Sequence, residues 1–244
     1  MPVLKEVEIK ALLTEDLSSF RRKAEKAGFQ YQREEAQLNH YFRVTEEFEL
    51  ATFVDEYNLS SDVLKAKSVA IRTREISSPN LNSVTGDSLF NTKTLLVVKY
   101  VLDGEDVQNG KDRYEIEIDC TENITHVDSA LIKYGLEYRS LWSRERLTYF
   151  HPEKEITLCL DKNAGYGYLV ELERMVSEEK REDSFKELCD TLEFLGLDML
   201  ESNLLETMFK YYETHYEDYY GTEHLIWNSP NWIKFMSNRL FKSN

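Results

Sequence analysis

Glu6-Val7-Glu8-Ile9-Lys10 alternates charged and apolar side chains. On a β-strand that alternation sends Glu6, Glu8 and Lys10 to one face and Val7 and Ile9 to the other. A lone surface strand can do the same for solubility. Here, however, the pattern returns along the chain. Arg72 and Arg74 flank Thr73 after Ile71, and Lys99 ends the run Leu95-Leu96-Val97-Val98. Arg113, Glu115 and Glu117 alternate with Tyr114, Ile116 and Ile118. Arg144 and Arg146 stand two apart, and Glu171 and Glu173 alternate with Val170 and Leu172. An outward face does not need charges of both signs repeated this way. A barrel whose lumen is lined by carboxylates and cations does.

Composition narrows the functions. A chain of 244 residues makes one large β domain with helices attached, or two small domains. A hydrophobic content of 41% supplies a core and argues against wholesale disorder. A net charge of −15 speaks against a nucleic-acid or anionic-membrane partner, because phosphate attraction needs net or clustered positive charge. A small polyanion can still be held where cations are gathered locally. Cys120, Cys159 and Cys189 are widely spaced and odd in number, which fits reduced thiols in a cytoplasmic protein rather than a disulfide framework or a zinc motif. No basic segment followed by an apolar run opens the sequence, and no apolar run has the length of a membrane span.

Between the charged strands the chain reads as helices and loops. Leu17, Phe20, Ala24 and Ala27 predict a helix over 15–28, with Thr14 to cap it and Gly28 to end it. Gln37, Asn39 and Tyr41 alternate on a further strand. Residues 45–68 are expected to include a helix across one mouth of the barrel. Residues 76–94 carry loop signals, and 103–112, with Asp103-Gly104 and Asn109-Gly110, reads as a hairpin connection. A helix is expected over 122–134, capped by Thr121 and closed near Gly135. Two more are expected at 182–195 and 202–217, with apolar stripes that suit packing on the barrel or against a second subunit in a homodimer. The division drawn is 1–212 for the main domain and 213–244 for a docked C-terminal appendage. Trp227 and Trp232 near Lys234, Arg239 and Lys242 could also serve single-stranded nucleic acid or a membrane interface, but Pro230 interrupts this short segment.

The motifs in sequence order resemble the CYTH family, the triphosphate tunnel metalloenzymes. Glu6-x-Glu8-x-Lys10 matches its E-x-E-x-K signature. Arg72-x-Arg74, Lys99, Arg113-x-Glu115-x-Glu117, Arg144-x-Arg146, Asp161, Gly167 and Glu171-x-Glu173 follow in the family's order, over residues 4–175. The family includes class IV adenylyl cyclases, thiamine triphosphatases and inorganic triphosphatases. The resemblance implies an α+β fold: an antiparallel closed β-barrel of about eight strands forming a triphosphate tunnel, with surrounding helices and a C-terminal helical extension. It also implies metal ligation by Glu8, Glu171 and Glu173, with Glu6, Glu115, Glu117 and Asp161 as further candidates. Where the family often has an acidic residue, this chain has Asn39, which brings no charge to a metal. Where many relatives have Lys-x-Arg, it has Arg144-x-Arg146, so Arg144 is assigned binding without proton transfer.

The chemistry agrees with those roles. A triphosphate in a confined space needs several cations at once, and Lys10, Arg72, Arg74, Lys99, Arg113, Arg144 and Arg146 form that set. Carboxylates in the same lumen repel the substrate unless a divalent cation such as Mg²⁺ or Mn²⁺ bridges them to phosphate. Burying so many ions for stability alone gains little. Glu8, Lys10 and Tyr41 are the candidates for direct action. Tyr41 would orient water or a phosphate, or serve only as a wall aromatic. Hydrolysis of an inorganic, thiamine or nucleoside triphosphate is ranked first. Cyclisation of ATP to cyclic AMP and pyrophosphate is second, since no segment announces an adenine site. A non-catalytic polyphosphate or nucleotide sensor is third, because a simple anion receptor gains nothing from lumen glutamates.

Overall fold

The alternating stretch Glu6–Lys10 lies in β1 (Lys5–Leu12) of a computed structural model that describes residues 5–79, 90–102 and 114–240. Seven more strands follow: β2 (Gln30–Val44), β3 (Ser68–Pro79), β4 (Phe90–Val101), β5 (Tyr114–Cys120), β6 (Leu136–His151), β7 (Ile156–Asn163) and β8 (Gly167–Val176). They form one eight-stranded sheet in the order β1-β8-β7-β6-β2-β3-β4-β5. Every ladder is antiparallel. Strands occupy much of the expected 76–94 loop, because β3 runs to Pro79 and β4 starts at Phe90. Pro79 ends its strand, where its missing N–H costs least. The 103–112 hairpin and Arg113 lie outside the described residues.

The expected closed barrel is observed as an open sheet. Its two end strands are β1 and β5, and no ladder joins them among the described residues. The charged rows at these ends are Glu6 and Glu8 on one strand and Glu115 and Glu117 on the other. Like charges facing across a ladder oppose pairing.

Apolar residues between the charged ones build the core on the sheet's other face. Val7 and Ile9 are fully buried with Leu158, Leu160, Val170 and Leu172. Over them lie α1 (Leu17–Lys26), through Phe20 and Ala24, and α4 (Arg181–Phe194), through Leu188 and Leu192. Burying one such leucine stabilises the fold by about 1.5–3 kcal/mol. The cap of α1 is Asp16, two residues later than expected: its carboxylate accepts from the Ser19 backbone N–H at 2.9 Å. Gly28 follows at φ +97, where a Cβ would stand 2.8 Å from His151 Nε2, so only glycine fits.

The second half of the sheet is covered by α2 (Leu50–Glu56) and α3 (Ile124–Lys133). Phe53 and Val54 of α2 pack with Phe42, Ile71, Leu96 and Val98. This helix therefore lies on the apolar outer face and not across a mouth. Its apolar side finds an apolar partner there, whereas the charged face offers none. Asn123, rather than Thr121, caps α3 by accepting from the His126 N–H at 3.0 Å. Beneath α3, buried Asp128 accepts from Thr73 at 2.6 Å and Tyr138 at 2.7 Å, and meets His40 Nδ1 at 2.6 Å. That network ties the helix to β2 and β3 directly behind Asn39, Arg72 and Arg74.

The tail begins with α5 (Ser202–His215) and ends with α6 (Pro230–Leu240). Tyr211 and Tyr212 of α5, Tyr219, Ile226 and Trp232 bury together against Ala164 and Tyr166, so the segment after 212 continues the packing of α5. Gly165 turns between β7 and β8 at φ +80, and a Cβ there would stand 3.0 Å from the Tyr212 ring. The apolar stripes of both α4 and α5 are covered within the chain. No helix among the described residues is long and apolar enough to cross a membrane.

Candidate active site

The period-two charges meet on one face of the sheet. Lys10 Nζ lies 2.8 Å from Glu8 Oε2 and 2.7 Å from Glu171 Oε1, across the β1–β8 ladder in which Lys10 stands opposite Glu171. Arg146 donates to both oxygens of Asp161, at 2.6 and 2.7 Å, and to Glu171 Oε2 at 2.6 Å. Arg144 reaches Asp161 Oδ2 at 2.7 Å and Gln37 Oε1 at 2.7 Å. Gln37 in turn donates to Glu35. These bonds make one continuous network across five strands.

The remaining cations belong to a second group. Arg72 donates to Tyr41 Oη at 2.6 Å and to Glu115 Oε1 at 3.3 Å. Its Nε is buried without a hydrogen-bond partner. Arg74 donates to Asn39 at 3.1 Å and to Glu117 at 3.0 Å, and Lys99 Nζ lies 2.5 Å from Glu115 Oε2. Asn39, where an acid is common in the family, thus holds an arginine. All described candidate residues share this face, and Arg113 alone lies outside the description.

Electrostatics separates the carboxylates. Burial works to raise Glu171, but Lys10 and Arg146 hold it well below the usual carboxylate range. Glu115 is likewise lowered against its burial, by Lys99 and Arg72. Glu173 behaves oppositely: burial, then the Glu171 and Glu6 carboxylates, push it up to about 7. Burial also raises Glu6, reinforced by Glu8 and Glu171 against the pull of Lys99. Tyr41 is lowered because Arg72, Arg144 and Lys99 outweigh its burial.

Glu173 makes stability depend on pH in the metal-free protein. Folded, it keeps its proton up to about 7, against 4.5 when free of these neighbours. Between those values the folded chain binds the extra proton, so the stability that Glu173 contributes is fully present below 4.5 and is lost as pH rises through about 7. The urea midpoint should fall across that window, and Glu173→Gln should flatten the fall. An equal fall in both proteins would assign the effect to another group.

One end of the charged face is closed by apolar side chains. Leu12 stands two residues after Lys10, Leu169 two before Glu171 and Trp142 two before Arg144, so each continues a charged row. Leu205, Met208, Phe209 and Tyr212 of α5 share clusters with them, and the Trp142 and Tyr212 rings stack at 3.7 Å. Helix α5 therefore covers one end of the charged face, a role that the sequence reading gave to residues 45–68.

Solved structures share this architecture. The PH1819 protein of Pyrococcus horikoshii OT3 superposes with a TM-score of 0.58 at 20% identity, over 83% of this chain and 99% of that one. A Vibrio parahaemolyticus protein named "putative adenylate cyclase" gives 0.53 at 14% identity, over 82% and 94%. The chain shares the fold of these proteins. The likeness extends to a chain of the Schizosaccharomyces pombe Mediator head module, at TM-score 0.50 and 10% identity over 80% and 97%. No protein-family model and no curated protein matches the sequence.

On the charged face, the proposed metal ligands differ in their availability. Asp161 is bound by Arg144 and Arg146, and Glu115 and Glu117 by Arg72, Arg74 and Lys99. Glu6 and Glu173 make no ion pair among the described residues, and they flank Glu8 and Glu171 on adjacent strands. This oxygen-rich donor set fits Mg²⁺ or Mn²⁺. Sequence reasoning passed over Glu35 and Cys159 on the same face. Glu35-x-Gln37 and Cys159-x-Asp161 carry the period-two signal, but neither pair has the uniform charge that marked the other rows.

Proposed function

We propose that the protein is a triphosphatase of the CYTH type, dependent on a divalent cation and acting on a small-molecule triphosphate within the tunnel. The observation that carries this reading is the convergence of Lys10, Arg72, Arg74, Lys99, Arg144 and Arg146 on one face, against the carboxylates Glu6, Glu8, Glu171 and Glu173. A bare anion receptor has no use for those carboxylates, which oppose the substrate. Fold alone does not carry the reading, since a Mediator chain shares it.

Arg72 and Arg74 hold phosphate oxygens, and the unpaired Nε of Arg72 is a donor already available for one. Arg144 and Arg146 position further oxygens, and Asp161 fixes both guanidiniums in place. Lys10 lies between Glu8 and Glu171, where it meets both the phosphate chain and the carboxylates. Glu8, Glu171, Glu173 and Glu6 would hold Mg²⁺ or Mn²⁺, which when bound supplies charge stabilisation and polarises a phosphoryl oxygen. Tyr41, lowered by its cationic neighbours, orients water or phosphate beside Arg72. The free thiols fit a cytoplasmic location.

Cyclisation of ATP is the second reading, favoured by the name of the Vibrio parahaemolyticus protein. Incubation with ATP and Mg²⁺ or Mn²⁺ separates the two: orthophosphate supports hydrolysis, while cyclic AMP with pyrophosphate replaces it by cyclisation. In either case Arg72→Ala should weaken metal-free tripolyphosphate binding at least about tenfold by calorimetry, the scale of one charged hydrogen bond. Unchanged affinity would remove Arg72 from the phosphate site.

A further inference from the structure

Cys159 stands on β7 directly opposite Glu171 of β8. One ligand atom from each of Cys159, Glu171 and Glu173 lies within 4.8 Å of the others. Ligands that share a tetrahedral cation at about 2.0–2.3 Å sit about 3.3–3.8 Å apart, so side-chain closure of up to about 1 Å completes the contact. Cys159 is only 1% exposed, and among the described residues its sulfur has no hydrogen-bond partner. Cys120, by contrast, points its thiol at the Ile118 carbonyl at 3.7 Å. A thiol that merely filled space would sit among apolar side chains on the covered face, as Leu158 and Leu160 do. Cys159 instead shares the charged face with Asp161, Glu171 and Arg146.

We infer that Cys159, Glu171 and Glu173 form a mixed sulfur–oxygen cation site that takes a thiophilic divalent ion such as Zn²⁺ or Co²⁺ more tightly than Mg²⁺. This rests on the reading that Glu171 and Glu173 hold a cation. Sulfur is the softer donor and selects ions that a set of carboxylates alone does not. On binding, the Cys159 S–H bond breaks, the proton leaves to solvent and the sulfur electron pair bonds the cation. Lys10 and Arg146 do not block Glu171, because each carboxylate oxygen carries a second lone pair.

Cobalt reports the ligands independently of turnover. The full chain, freed of metal, is titrated with Co²⁺ while visible ligand-field bands and the near-ultraviolet sulfur-to-cobalt charge-transfer band are recorded. The parent is expected to show both. Cys159→Ser should lose the sulfur band, keep the visible bands and bind Zn²⁺ at least about tenfold more weakly. Should that variant fail to fold, Cys120→Ser with Cys189→Ser keeps Cys159 and must keep the sulfur band. Visible bands without a sulfur band in the parent would overturn the role of Cys159 and leave the carboxylate site standing. Cobalt spectra unchanged by Glu171→Gln and Glu173→Gln would overturn the carboxylate site and this inference with it.

Discussion

Glu8→Gln should release orthophosphate from tripolyphosphate at least about a hundredfold more slowly than the parent with Mg²⁺ or Mn²⁺, a barrier higher by roughly 3 kcal/mol. Binding should move the other way. Glu8 repels the bare polyanion and helps only through the cation, whose effect is greatest on charge developing in the transition state. Its Oε2 also holds Lys10 at 2.8 Å, so removing that charge leaves Lys10 freer for phosphate. Metal-free tripolyphosphate should therefore bind the variant as tightly as the parent or more tightly, as read by calorimetry. Equal losses of binding and turnover would make Glu8 a structural residue.

Arg146→Ala should destabilise the fold by about 3 kcal/mol, because it leaves buried carboxylates short of their partner. The guanidinium spans Asp161 and Glu171, and Asp161 is fully buried. Arg144 keeps one contact to Asp161 and Lys10 keeps one to Glu171, so the loss stays below that of an orphaned ion. Chemical denaturation checks the figure. A variant as stable as the parent would mean that the network around Asp161 is solvated or relaxes freely.

The face that carries the site was legible because its residues are ionic at period two, a signal that survives without any partner being known. Lys10, Glu171 and Arg146 fell on one face for that reason alone, whereas Asp161 entered through the family resemblance. Who pairs with whom was not legible, since the β1–β8 and β6–β7 registers are set by contacts between distant segments. Asp161 could be read as a metal ligand but not as the anchor of two arginines. Cys159 was invisible as a site residue because one thiol in an apolar run looks like core. The helix over one end was misplaced to 45–68 because amphipathic helices look alike in sequence. Phe53 matches an apolar face, whereas Phe209 and Tyr212 match the apolar ends of charged rows. Both caps were missed by two residues, as Asp16 and Asn123 compete with neighbouring threonines that are almost as suitable.

The most direct test of the triphosphatase reading is phosphorus NMR of tripolyphosphate, ATP and thiamine triphosphate, each incubated with the purified chain and Mg²⁺ or Mn²⁺. At least one should yield orthophosphate at a rate that chelation abolishes and Glu8→Gln reduces at least about a hundredfold. A chain that releases no phosphate, pyrophosphate or cyclic nucleotide from any of them would contradict the enzyme and leave a polyphosphate sensor as the account.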